Sequence, residues 1–366
     1  MTRRPSGGVG LAVVGCGSIG GLRAVLAAGH PAVDYLALFD IDPARTRAMA
    51  DQTGADLCAG SLEELLAAPE VDAVIVSSTE EAHVGPVIAG LRSGRPVLVE
   101  KPIAHDLSEA KDLVQASAAA GDKLYVGYTQ RFRRKFLNGK EQIRKGYLGE
   151  LSGMSAKFYI TRAAGARIVA RSPHVNAVTD ILTYMVDIML WYFEGHRPVS
   201  VYARSSAGTF GREHDVAENT WAVVQMDTGA VVNLGTSWML PGHHPASSAT
   251  IAIDVMGDEG FLTIDDGHRE FVLTSDRELS APYTGVPMHT AFVGTHPPAD
   301  WAVGEPWGPI RQETYAFIHA VATGETHPVL ATARQAQDVL AVTTAVNESA
   351  DAQGTDREVA ITLSAD

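Results

Sequence analysis

"VGLAVVGCGSIG", residues 9–20, decides the fold. A short apolar run passes without a polar interval into Gly15, Gly17 and Gly20, and then into "SIGGLRAVLAAG" (18–29), which reads as a helix ending in glycine. The spacing G-x-G-x-x-G, placed between a strand and a helix, is what a dinucleotide pyrophosphate requires. Gly15 allows the tight turn, Gly17 lets the backbone approach the phosphates, and Gly20 lets helix and strand pack closely. Ser18 and Ile19 complete the loop, whose helix-terminal N–H groups suit an anion. Cys16 adds only a small side chain. Glycine turns are common, so the motif takes its weight from what surrounds it.

Outward from this loop, strands and helices alternate. "YLALFDID" (35–42) is a second strand and "PARTRAMADQTG" (43–54) a helix with proline at its start and glycine at its end. "SLEELLAA" (61–68) offers a serine cap. The apolar runs in "VDAVIVSST" (71–79), "RPVLVE" (95–100) and "KLYVGY" (123–128) are separated by the helical stretches 81–94 and 108–121. Continuous apolar strands alternating with helices predict an α/β chain with a doubly wound parallel sheet, covered on both faces.

Ligands of such sheets lie beyond the carboxyl ends of the strands. Asp40, at the end of the second strand, is placed to accept hydrogen bonds from both hydroxyls of an adenosine ribose and to repel a 2′-phosphate. NAD rather than NADP is therefore the expected cofactor. Ser77, Ser78 and Thr79 end the next long strand; Ser78 reads equally as a cofactor contact or a helix cap. His83 is placed to line the nicotinamide side. "VLVEKP" (97–102) ends a buried strand on a charged pair. Glu100 and Lys101 would meet the cofactor where substrate arrives, the ammonium stabilising negative charge on a reacting oxygen, with Pro102 restricting the turn.

These elements together, "GCGSIG", Asp40, the turn 77–83, "VLVEKP" and then "YVGYTQRFRRKF" (125–136), resemble the Gfo/Idh/MocA family of NAD(P)-dependent oxidoreductases. The resemblance implies a Rossmann domain, residues 1–128, and a C-terminal α+β substrate and oligomerisation domain, residues 129–366, with a large, open, mostly antiparallel sheet. It also implies hydride transfer between nicotinamide and a carbinol or carbonyl carbon of a sugar, inositol or related polyol. Where the family commonly has Thr-Pro, this chain has Ser78-Thr79, keeping one hydroxyl and losing the ring.

"NAVTDILTYMVDIMLWYFEG" (176–195) is a strongly apolar helix carrying Asp180, Tyr184 and Asp187 at spacings of four and three, hence on one face. Buried carboxylates need partners. The resemblance implies an Asp, His, Asp set at these positions, and Tyr184 replaces the histidine, as in glucose–fructose oxidoreductase and some nucleotide-sugar ketoreductases of the family. A phenol is protonated at pH 7 and suited to giving a proton to a forming alkoxide. Lys101 and Tyr184 are thus the expected acid–base pair, Asp180 a third catalytic residue, and His174 and Asn176 further substrate contacts. The runs 198–207, 218–240, 250–267 and 269–275 alternate as strands joined by Asp-Thr-Gly and Asp-Glu-Gly turns. "THPPADWAVGEPWGP" (295–309) reads as a loop. His243 and His244 lack metal-ligand spacing, and no metal is expected.

Composition bounds the alternatives. With 29 basic and 43 acidic residues the net charge is −14, against nucleic-acid or membrane partners. No run approaches a membrane span, and Arg3-Arg4 precede a run too short for an export signal. Two cysteines, Cys16 and Cys58, fit a reducing cytoplasm. A homodimer or homotetramer is expected. Two competing readings remain: a non-catalytic dinucleotide sensor, and an NAD-dependent glycosidase or eliminase.

Overall fold

The structure is a computed structural model that describes residues 7–245, 249–267, 272–280, 286–292, 300–302, 304–359 and 361. Arg3-Arg4, part of the strand expected over 269–275 and part of the stretch 295–309 lie outside the described residues.

The chain begins with β1 (Val9–Val14), α1 (Ser18–Ala28), β2 (Val33–Phe39), α2 (Pro43–Thr53), β3 (Leu57–Cys58) and α3 (Leu62–Ala67). It continues through β4 (Ala73–Val76), α4 (Val84–Arg92), β5 (Val97–Glu100), α5 (Leu107–Ala119) and β6 (Leu124–Gly127). Next come α6 (Arg134–Arg144), β7 (Leu151–Thr161), α7 (Arg162–Arg171) and a π turn (Val178–Leu182) running into α8 (Thr183–Tyr192). Then follow β8 (Pro198–Ser206), α9 (Thr209–His214), β9 (Asn219–Met226), β10 (Val231–Leu240), β11 (Ala249–Gly257) and β12 (Phe261–Asp265). Two hairpins, β13 (Val272–Ser280) with β14 (Pro287–Phe292) and β15 (Asp300–Ala302) with β16 (Glu305–Trp307), precede the last elements. These are α10 (Pro309–Thr323), β17 (Ala331–Thr332), α11 (Ala333–Asp351) and β18 (Arg357–Glu358).

The chain divides into two compact units: Met1–Phe132 with Pro298–Gln337, and Arg133–Pro297 with Asp338–Asp366. The first holds a sheet of order β17-β6-β5-β4-β1-β2-β3. All six strands of the order 3-2-1-4-5-6 run parallel, and only β17 joins antiparallel, on β6. This is the Rossmann arrangement. Every residue of β1, β4 and β6 is buried, which is why these strands read as unbroken apolar runs. Helix starts are set locally: the side chains of Asp42, Ser61 and Asp106 cap α2, α3 and α5, each accepting from a backbone N–H two or three residues on. Gly54, at φ +69°, closes α2.

The second unit holds the sheet β12-β11-β7-β10-β9-β8-β18. Only β7 and β10 pair parallel, and the rest is antiparallel. Strict alternation of burial along β9 turns Ala222 and Val224 inward and Trp221 and Val223 outward. The π turn and α8 pack on β7, so the apolar side chains Ile181, Met185 and Ile188 are buried.

Two expectations are corrected. The second strand ends at Phe39, so Asp40 lies in the following loop; its backbone N–H bonds the Thr46 hydroxyl (3.0 Å) instead of a neighbouring strand. The helix carrying Asp180, Tyr184 and Asp187 is not uniformly α. Its first turn is π-helical, which adds a residue to that turn. The α spacing that would align Asp180 with Tyr184 therefore does not hold, whereas Tyr184 and Asp187 keep it on α8.

At Gly20, a Cβ would overlap the Gly15 carbonyl oxygen and come within 3.1 Å of the Ser77 Cβ, whereas nothing lies within 4 Å of one at Gly85 on α4. Gly20→Ala is expected to cost about 1–3 kcal/mol through overpacking. Gly85→Ala is expected to gain about 0.5 kcal/mol through helix propensity. Urea denaturation of the two variants tests the opposite signs.

Candidate active site

The parallel registers align the carboxyl ends of four strands. Val14 lies opposite both Phe39 and Val76, and Val76 opposite Val99. The residues that end or follow these strands, Gly15, Asp40, Ser77 and Glu100, therefore share one edge of the sheet.

Gly15, at φ +92°, makes the turn, and its N–H donates to the Phe39 carbonyl (2.8 Å). A Cβ there would press on the backbone of Ser77 and Ser78 at 2.7–2.9 Å. At Gly17 no atom lies within 4 Å of where a Cβ would stand, and α1 starts with no side-chain cap. The loop thus presents backbone N–H groups into open space at the positive end of α1, a cradle that fits a pyrophosphate. Ser18 is exposed on the first turn. The Ile19 side chain packs against Leu26 and Ile310, which leaves its backbone as the ligand-facing part.

Asp40 ties the loop to the end of β2. Its Oδ2 accepts from the Cys16 N–H (2.7 Å) and its Oδ1 from the Asp42 N–H (2.9 Å). Each oxygen keeps a second lone pair for a ligand hydroxyl. A cavity of about 360 Å³ beside it is lined by Asp40, Ile41, Pro43, Arg47, Cys58 and Gly60, among others, and fits an adenosine. Burial, with Asp40 next in effect, pushes the Cys16 thiol up to about 12, so it stays protonated at neutral pH.

On the neighbouring turn, Ser78 Oγ and His83 Nδ1 lie 3.2 Å apart. His83 is buried, with its Nε2 lacking a hydrogen-bond partner, as does Ser77 Oγ. Burial lowers the His83 pKa to about 4; Glu80 opposes this and the charge of Lys101 reinforces it. The imidazole is therefore neutral at physiological pH. It is available as a neutral donor or acceptor.

Beyond β5, Lys101 is half-buried and joined to Pro102 by a cis peptide bond. Glu100 faces a buried cation that sequence reasoning missed. Arg23 Nε donates to Glu100 Oε1 (2.6 Å), Nη1 to Thr314 Oγ1 (3.0 Å) and Nη2 to Glu313 Oε2 (2.6 Å). Burial pushes the guanidinium down in pKa, but Glu100 and Glu313 more than offset it, and Arg23 sits above its ordinary value. The available signal was an arginine in "GLRAVLAAG", on a helix expected to be buried. Its partners on α10 had no signal at all.

In the second unit, Asp180 and Asp187 are buried and Tyr184 is half-buried, its ring 6.0 Å from that of Phe158. His174 is exposed. Asn176 is occupied in starting the π turn: its Oδ1 accepts from the N–H groups of Val178 (3.0 Å) and Thr179 (3.1 Å), and its Nδ2 donates to Asn347 Oδ1 (3.1 Å). Thus the first unit gathers the glycine loop, Asp40, Ser78, His83, Glu100 and Lys101, and the second gathers Asp180, Tyr184, His174 and Asn176. His243 Nδ1 lies 2.7 Å from the Pro287 carbonyl. Among the described residues no three His, Cys, Asp or Glu side chains cluster as metal ligands, and no helix is long and apolar enough to cross a membrane.

The His83 environment has a pH signature. In the unfolded chain it charges near 6.5, in the fold only near 4, so between these values the unfolded state binds the extra proton. Its contribution to stability is complete above pH 6.5 and falls as pH drops toward 4. His83→Gln is expected to remove up to about 3 kcal/mol of this pH-dependent change, read as a flatter plot of denaturation midpoint against pH. Equal slopes in the two proteins would contradict the assignment.

Comparisons with known proteins agree with this geometry. Residues 9–128 match a family profile described as "Oxidoreductase family, NAD-binding Rossmann fold", and residues 136–263 one described as "GFO/IDH/MocA C-terminal domain". An inositol 2-dehydrogenase of Acidothermus cellulolyticus is 26% identical over 270 residues, 70% of this chain and 72% of that one. The myo-inositol dehydrogenase Hyg17 of Streptomyces leeuwenhoekii is 27% identical over 348 residues, 93% of this chain and 97% of that one. The fold matches a scyllo-inositol dehydrogenase of Lactobacillus casei, solved with NAD(H) and scyllo-inositol, with a TM-score of 0.77 at 16% identity, covering 96% of this chain and 99% of that chain. With both of its characteristic domains matched and the dinucleotide loop, Asp40 and Glu100-Lys101-Pro102 on one sheet edge, this chain belongs to the Gfo/Idh/MocA family of NAD-binding oxidoreductases.

Proposed function

We propose that the protein is an NAD-dependent dehydrogenase of a cyclic polyol, an inositol or a related sugar. The observation that carries this reading is the shared sheet edge. There Asp40, the glycine loop and Lys101 follow three strands held in register. The inositol dehydrogenases among its relatives supply the substrate class.

NAD, which the glycine loop and Asp40 would hold, would supply nicotinamide C4 as the acceptor of the carbinol hydride. The chain's own residues handle the proton and the geometry. Lys101 donates a hydrogen bond to the reacting oxygen and stabilises the alkoxide as the C–H bond weakens. In oxidation Tyr184 as phenolate takes the hydroxyl proton and then releases it to solvent, and in the reverse reduction the phenol returns a proton to the forming alkoxide. Asp180 orients the substrate, with His174 as a further hydroxyl contact. Asn176 supports the turn that carries Asp180. Net, an alcohol and oxidised cofactor give a carbonyl, reduced cofactor and one proton.

The reading extends to a cytoplasmic homo-oligomer. Cys16 and Cys58 are free thiols, in keeping with a reducing compartment. The outward face of the second unit's sheet exposes Tyr202, Trp221, Val223 and Val231 and carries charges of both signs, Lys157 on β7 and Asp254 on β11. Such a face, apolar along β8, β9 and β10 and charged along β7 and β11, suits a second copy of itself under a two-fold axis.

Absorbance assays of NADH formation with myo-inositol or scyllo-inositol, and of NADH consumption with an inosose, test the activity. Turnover of at least one is expected, and Lys101→Ala and Tyr184→Phe are each expected to slow hydride transfer by about 10²–10⁴-fold. Tight NADH binding without turnover of any would point instead to a sensor. Light scattering tests assembly: the wild type should exceed the monomer mass, and Trp221→Glu should shift it toward monomer. A monomeric wild type would end the oligomer reading.

A further inference from the structure

The guanidinium of Arg23 is fully buried and contacts three groups, Glu100 at the end of β5 and Glu313 and Thr314 on α10. Buried ionic clusters are poor stabilisers, because desolvation of the charges consumes most of the attraction between them. What such a cluster provides is fixed position, through a planar fork whose donors meet their acceptors in one arrangement only. The sequence makes room for it. At Gly127, paired to Glu100 on the adjoining strand, a Cβ would stand 2.9 Å from Glu100 Oε2 and 3.1 Å from Arg23 Nη2.

We propose that Arg23 is a positioning residue for the reaction: it anchors Glu100, and thereby sets where Lys101 leaves the sheet, relative to the dinucleotide-binding helix on which Arg23 itself sits. Three observations converge on this role. The arginine is on α1, whose N-terminus carries the glycine loop. Its shortest ion-pair contacts, 2.6 Å each, go to Glu100, the residue before Lys101, and to Glu313. Because Glu100 is held by the guanidinium, its carboxylate is directed to the α1 and α10 side. The backbone at Lys101 therefore starts from a fixed point. Thr314 completes the anchor; its own hydroxyl donates to the Ile310 carbonyl (2.7 Å), which orients it as an acceptor for Arg23. The helix that starts at the glycine loop and the residue before Lys101 are thus tied together by one ion pair.

The inference rests on the assignment of Lys101 to the chemistry, and a double-mutant cycle separates the two. Single-turnover hydride transfer from myo-inositol to NAD, and NADH affinity by fluorescence titration, are measured for Arg23→Gln, Lys101→Ala and the double variant. Arg23→Gln is expected to slow hydride transfer at least about tenfold with NADH affinity within about threefold, and to add less than about threefold in the Lys101→Ala background. Full multiplication of the two effects, or no slowing by Arg23→Gln, would overturn the positioning role. No slowing by Lys101→Ala would remove the lysine from the chemistry instead. The rate of trace acetylation of Lys101, read by peptide mass spectrometry in wild type, Arg23→Gln and Glu313→Gln, requires no turnover. A change of at least about threefold is expected for a displaced amine, and equal rates would overturn the proposal. Should Arg23→Gln fail to fold, Thr314→Val removes one contact while keeping side-chain shape, and is expected to give a smaller slowing that also vanishes in the Lys101→Ala background.

Discussion

Helix α1 rests on its sheet through a contact that only glycine permits. Gly20 lies so close to the Gly15 carbonyl, and Gly15 to the backbone of Ser77 and Ser78, that a methyl group at either would force the helix and strand ends apart. This approach sets the height of α1 above β1 and β4. The remaining features of the first unit depend on it. The phosphate cradle is the start of this helix, the Cys16 N–H reaches Asp40 from the same turn, and Arg23 reaches Glu100 from its middle.

Charge in the first unit is used for geometry. Asp40 spends one hydrogen bond on each oxygen to hold the glycine loop against the end of β2, so the group that would bind ribose is itself fixed by the loop that would bind phosphate. His83 is kept neutral by burial, with the charge of Lys101 acting in the same direction. The second unit solves a different problem. It must carry Asp180 and Asp187 within an apolar helix that packs on a sheet. Asp180 sits in a π turn started by Asn176, whose wider turn re-aims it relative to the α-helical residues beyond, Asp187 among them.

Much of this was legible in residues that are close in the chain. The alternation of buried strands and helices, the glycine loop and the Ser61 cap read correctly from neighbours, because turn geometry and capping act over a few residues. The π turn did not, since "NAVTDIL" carries no periodicity that separates it from an α-helix. The commitment of Asn176 to a backbone cap and to Asn347 was equally hidden.

By itself the sequence determined the doubly wound fold and the place of the dinucleotide loop, since steric and capping constraints are local. Only the tertiary structure decided what those residues face. Arg23 meets partners 77, 290 and 291 positions away in the chain, and a buried cation takes its role from whichever carboxylates folding brings to it. No local pattern encodes that choice, because it follows from the packing of β5, α1 and α10 together.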